Sequence, residues 1–119
     1  MDLAAKLQLK PGQSVAVVGQ PEGVVLELGA DHPMAAEADR SDAVVVFCRG
    51  RDDVERMSDA FVPPAKRDEL TWIAYPKAGK LGTDINRDLL ADLVKVRGVQ
   101  PVRQVALDDT WSALRLRPA

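Results

Sequence analysis

The chain has 119 residues, of which 46% are hydrophobic and 29% charged, an ordinary globular balance that excludes a disordered or fibrous polypeptide. Sixteen Lys and Arg against eighteen Asp and Glu leave a net charge of −2, so the balance calls for neither nucleic acid nor an anionic membrane as partner. This length predicts one domain over 1–119, and no apolar run approaches the ~20 residues that span a bilayer. Leu3–Leu7 is too short for a signal-peptide core, and a single Cys cannot form an internal disulfide, which together predict a cytoplasmic protein.

Taken in chain order, the first strong signal is Val15-Ala16-Val17-Val18, and the second is Ala43–Cys48. Both are apolar without alternation, the pattern of strands buried on both faces in a parallel sheet covered by helices. Leu70–Tyr75 reads in the same way. Glu22–Leu28 is expected as a short helix stopped by Gly29. The segment from Leu28 to Asp42 is ambiguous, because Met34–Ala38 suits a short strand and a helical turn equally. Asp52–Phe61 places Val54, Met57 and Phe61 on one helical face, with Pro63-Pro64 as its end.

Asp84–Arg97 is the best-specified helix. Thr83 or Asp84 can cap it, acids lie at its start, Lys95 and Arg97 near its end, and Gly98 stops it. Ile85, Leu89, Leu93 and Val96 form its predicted buried stripe. Pro101 then opens a pair of strands, Val102–Leu107 and Trp111–Arg117. Their three-residue connection is too short for a parallel crossover, so they form an antiparallel hairpin. Alternation of Leu114 and Leu116 with Arg115 and Arg117 places the second strand near a sheet edge with one wet face.

Ligands of an open parallel sheet bind outside the carboxyl ends of its strands. That rim consists here of Gly19–Gly23, Cys48-Arg49, Tyr75-Pro76-Lys77 and Asp108-Asp109. Gly19 and Gly23 do not make the G-x-G-x-x-G of a dinucleotide loop, and Glu22 would compete with a phosphate for the same amides. Gly79-Lys80 matches part of a P-loop, but Ala74 and Leu81 stand where the first glycine and the hydroxyl residue belong. Lys77, Lys80 and the amides near Gly82 can still cradle one anionic group, or the segment is simply a solvated loop.

Cys48 reads as a core residue, since no sequence argument brings the single His32 near it. One His and one Cys also make a metal site an unsupported expectation. Asp108, Asp109 and Thr110 suit a turn, and a pair of carboxylates at the ligand edge could instead act on substrate. Trp72 and Trp111 suit sheet packing, although either ring, or that of Tyr75, could stack on a ligand.

Several of these segments together resemble a family of small bacterial proteins of unknown function. They are Lys10-Pro11-Gly12, Pro21-Glu22-Gly23, Leu70–Lys77 with its Tyr75-Pro76-Lys77, Thr83-Asp84, and Val105–Leu114 with Asp108-x-x-Trp111-Ser112. The resemblance runs from Leu7 to Arg117 and is weakest across Leu28–Asp42. It implies an α/β fold of three layers, Rossmann-like and similar to a truncated methyltransferase, with a mainly parallel sheet ending in an antiparallel hairpin. It implies no assigned activity. The cofactor loop and ribose-binding acid of an active methyltransferase are absent from the sequence.

The expectation is therefore a non-catalytic module that binds a protein partner or assembles with itself, without a cofactor or a metal. The alternatives are a binder of a small anionic ligand or nucleotide at the rim, and a degenerate methyltransferase-like enzyme. The candidate ligand-binding residues are Tyr75, Lys77, Lys80, Thr83, Asp84, Asp108 and Trp111.

Overall fold

The structure is a computed structural model, and it describes residues 3–24, 26, 28, 41–77 and 79–119. Its elements are α1 (Leu3–Lys6), β1 (Val15–Val18), β2 (Ala43–Phe47), α2 (Arg51–Arg56), α3 (Ser58–Lys66), β3 (Leu70–Pro76), α4 (Arg87–Lys95), β4 (Val99–Ala106) and β5 (Trp111–Pro118). The strands form one sheet in the order β1-β2-β3-β5-β4. β1, β2 and β3 pair in parallel, and β5 runs antiparallel between β3 and β4. Four of the five strands therefore point the same way, and their carboxyl ends share one rim.

The unbroken apolar run of β2 has a direct cause. Val44 and Val46 pack into one core with Val54, Phe61, Leu90 and Val94, while Ala43, Val45 and Phe47 pack into another with Leu7, Trp72 and Trp111. Successive side chains of a strand leave opposite faces, so a strand covered on both sides needs apolar residues at every position. The first core lies under α2, α3 and α4. The second lies under α1 and residues 24, 26 and 28, and Trp72 Nε1 ties α1 down by donating to the Leu7 carbonyl at 3.1 Å.

Several local expectations are corrected. Glu22 and Gly23 form a turn, and Val24, Leu26 and Leu28 are not helical. Leu26 and Leu28 pack on the second core, so their apolar spacing reflects burial rather than a helical face. Gly29, His32 and Met34–Ala38 lie outside the described residues. The helix expected over Asp52–Phe61 is two helices broken at Met57, and Pro63-Pro64 lie inside α3 instead of ending it. Proline forfeits its own amide bond, but its restricted φ is helical, and burial of Phe61, Pro64 and Ala65 against the sheet offsets the loss.

The fourth helix starts three residues later than expected. Asn86 caps it, its side chain accepting from the Leu89 amide at 2.9 Å. The expected stripe is inward in part: Ile85 is buried just before the helix and Leu89 and Leu93 are half-buried against the same core, but Leu90 and Val94 are the buried residues of the helix and Val96 is 81% exposed. Pro101 does not open β4, which begins at Val99. A register shift between Pro101 and Arg103 accommodates the missing ladder donor on this edge strand. No helix among the described residues is long and apolar enough to cross a membrane.

Candidate functional site

The parallel register brings the four predicted rim segments to one end of the sheet, but the rim is two concavities rather than one. The first is a cavity of about 330 Å³ lined by Tyr75, Lys77, Asn86, Arg87, Asp88, Gln104 and Ser112. It opens between the end of β3 and the first turn of α4. Tyr75 is 2% exposed, and its hydroxyl accepts from Gln104 Nε2 at 2.9 Å. Burial raises the Tyr75 phenol above its ordinary value, an effect that the charge of Arg87 opposes. The phenol therefore stays neutral and serves as a hydrogen-bonding wall.

Lys77 is held by its backbone, whose amide donates to the Thr110 carbonyl at 2.7 Å and whose carbonyl accepts from the Lys80 amide at 2.9 Å. This fastens the loop after β3 to the hairpin turn, where Lys77 lines the cavity. Lys80 is exposed on the turn and does not line the cavity.

The second cavity, about 320 Å³, is lined by Pro21, Glu22, Gly23, Val24, Arg49, Leu81, Asp108, Thr110 and Trp111. Trp111 is 2% exposed and meets Phe47 edge to face at 5.2 Å, so its ring is engaged in the core. Asp108 Oδ1 accepts from the Thr110 and Trp111 amides, both at 2.7 Å. Its carboxylate thus organises the turn, the structural role that its residue type suits. Leu81 lines this cavity at a φ of +52° while 62% exposed, a combination that a bulky apolar residue seldom adopts.

Thr83 and Asp84 belong to neither cavity. The Thr83 hydroxyl donates to the Arg49 carbonyl at 2.7 Å and accepts from the Ile85 amide at 3.3 Å. Asp84 Oδ1 accepts from the Arg51 amide at 3.0 Å, so it caps α2, whose N-cap Gly50 has no side chain to do so. A Cβ on Gly50 would fall 2.7 Å from that oxygen, which explains the glycine. The pair therefore laces the loop after β3 to the loop after β2, and neither residue caps α4 as expected.

Cys48 is fully buried, and burial with the nearby Asp53 carboxylate pushes its thiol up to about 12. A thiol so placed is not ionised near neutral pH and is no nucleophile. Gly19 adopts a φ of +70°, and a Cβ there would lie 3.0 Å from Met57 Cε and 3.2 Å from the Phe47 carbonyl oxygen. The chain itself fills the space over this glycine. Among the described residues, no cluster of three His, Cys, Asp or Glu side chains is positioned to hold a metal ion.

Sequence reasoning missed Asn86, Arg87, Asp88, Gln104 and Ser112 as one lining. Arg87 and Asp88 carried a signal, since a later start for α4 puts them in its first turn. Gln104 carried none, because the pairing of β4 with β5 alone brings it to Tyr75.

No protein-family model matches the chain, and no curated protein matches it either. Among solved structures, the chain is similar to the M1A22 tRNA methyltransferase TrmK of B. subtilis, at 10% identity and a TM-score of 0.51. That match covers 98% of this chain and 65% of the methyltransferase, so the chain spans about two thirds of its relative's length. A protein of the NADB-Rossmann superfamily from Streptococcus agalactiae is similar at 12% identity and a TM-score of 0.49, with 100% and 70% of the two chains covered. The fold is accordingly α/β and Rossmann-like, with a mainly parallel five-stranded sheet.

Proposed function

We propose that this chain is a non-catalytic binding module built on a methyltransferase-like fold, and that its ligand is a small anion held in the cavity beside Tyr75. One observation carries the reading: the cavity gathers two cations, Lys77 and Arg87, against one carboxylate, Asp88, around the hydrogen-bonding groups of Tyr75, Gln104, Asn86 and Ser112. Its volume suits a small metabolite. Lys77 and Arg87 attract and orient the anion, Arg87 as a planar fork and Lys77 as a point charge. Ser112 and Tyr75 offer hydroxyls for its other polar groups.

Support for the non-catalytic part comes from how the rim's reactive groups are occupied. Asp84 and Asp108 are committed to backbone amides, and Cys48 is buried and protonated. An S-adenosyl cofactor, which the fold family implies, does not fit the described residues. Its loop needs open backbone over the end of the first strand, and here Met57 and Phe47 fill the space above Gly19.

Thermal denaturation against a panel of simple anions, carboxylates, nucleotides and S-adenosyl compounds tests the reading. A ligand at 100 times its Kd stabilises by about 2.7 kcal/mol, a readily measured rise in Tm. The expected result is a rise with a small anion that Lys77→Ala and Arg87→Ala each abolish. A panel without any shift removes the proposal and favours a protein-binding module.

A further inference from the structure

The opposite face of the sheet carries a second concentration of positive charge. In the antiparallel register Arg103 of β4 stands opposite Arg115 of β5, whose partner on the other side is Trp72 of β3. Paired residues of adjacent strands share a face, with Cβ atoms about 4.5–5.5 Å apart, and like charges so placed repel. The Trp72 side of this row is the one covered by α1.

Neighbouring groups relieve the pair only in part. Arg115 Nη1 donates to Gln8 Oε1, but its Nε is buried with no hydrogen-bond partner. Arg103 is exposed and forms no ion pair among the described residues. Three acids border the adjoining cavity, and each is engaged elsewhere. Asp68 grips Arg117 through both oxygens at 2.8 Å, Glu69 pairs with Arg67 at 3.0 Å, and Asp42 accepts from the Ser14 amide at 2.9 Å. Burial, then the charge of Arg117, lowers the Arg115 guanidinium below its ordinary value; the Asp68 carboxylate opposes that shift and Arg103 adds to it. A sheet face that pairs two arginines across adjacent strands and leaves one buried donor without an acceptor is suited to an anion.

We propose that Arg103 and Arg115 form a binding site for a phosphate-class oxyanion on the α1 face, with Gln8 at its margin. Guanidinium forks match phosphate oxygens bidentately, and a dianion balances two cations where a monocarboxylate balances one. The site is independent of the Tyr75 cavity, since Gln104, which lines that cavity, points to the other face of β4 from Arg103.

Inorganic phosphate is the probe, titrated into the whole chain carrying Arg87→Ala, so that the rim cavity is disabled. Sodium chloride holds the ionic strength constant throughout. Phosphate is expected to raise Tm in this background, and a further Arg103→Gln is expected to weaken the apparent affinity by about tenfold or more. Without phosphate, Arg103→Gln is expected to be at least as stable as its parent, because it removes a repulsion. Arg103 is exposed, so this variant folds even if Arg115→Gln does not. A phosphate response equal to that of chloride, or one that Arg103→Gln leaves intact, overturns the site. Phosphate stabilisation that persists in the Arg87→Ala background and is lost when Arg103→Gln is added supports it whatever becomes of the rim reading. A short single-stranded oligonucleotide in place of phosphate separates a free ion from a backbone phosphate as the source.

Discussion

Asp84 lies two residues before the cap of its own helix and caps another one. Its carboxylate accepts the first amide of α2 across a sequence separation of 33, and Thr83 binds the carbonyl of Arg49 beside it. Both are short polar residues before a helix, so they carry the local signature of a cap, and that signature does not say whose cap. Asn86 has the same signature and takes the role. Asp84→Ala is expected to cost about 1 kcal/mol in urea denaturation, and Asp84→Asn less, since an amide oxygen still accepts the Arg51 proton. An equal loss in both variants would show that charge, rather than the hydrogen bond, matters there. Asp108 teaches the same lesson in reverse: its turn role was legible because its partners lie two and three residues away.

Among the elements, strands were more legible than helices. β2 and β3 are buried on both faces, and a short β-branched run without alternation arises in few settings besides that one. Helix phase is more delicate, because Leu89, Leu90, Leu93 and Val94 are all apolar and packing on the sheet decides that Leu90 and Val94 lie innermost. The cap fixes where the helix begins. Asn86→Ala is expected to destabilise α4 by about 1 kcal/mol, read as an earlier urea midpoint with an unchanged m value. Because α4 presents Arg87 to the cavity, the same variant should also weaken anion binding at the rim. Loss of stability without any effect on binding would mean that the first turn of α4 does not contribute to the site.

At the scale of the molecule, one sheet serves two cores, and its two faces carry different probes. Trp72 and Trp111 belong to the α1 side, whereas α2, α3 and α4 cover the other. Tryptophan fluorescence therefore reports mainly one face and far-ultraviolet circular dichroism mainly the other. If 1–119 is a single domain, the two signals are expected to fall together in one thermal transition. Transitions separated by several degrees would show that the faces unfold independently. The division of the rim into two cavities is also a property at this scale. Tyr75 and Lys77 line one cavity while Asp108 and Trp111 line the other, and Tyr75 and Trp111 belong to cores on opposite faces of the sheet.

Amino-acid order alone determined the strand directions, the closing hairpin and the edge at which ligands would be sought, because these follow from local periodicity and the length of connections. Tertiary structure alone decided which helix Asp84 serves, which side chains line each cavity, and that Arg103 meets Arg115. Those facts depend on register and on contacts between residues far apart in the chain, and no local pattern encodes such distances.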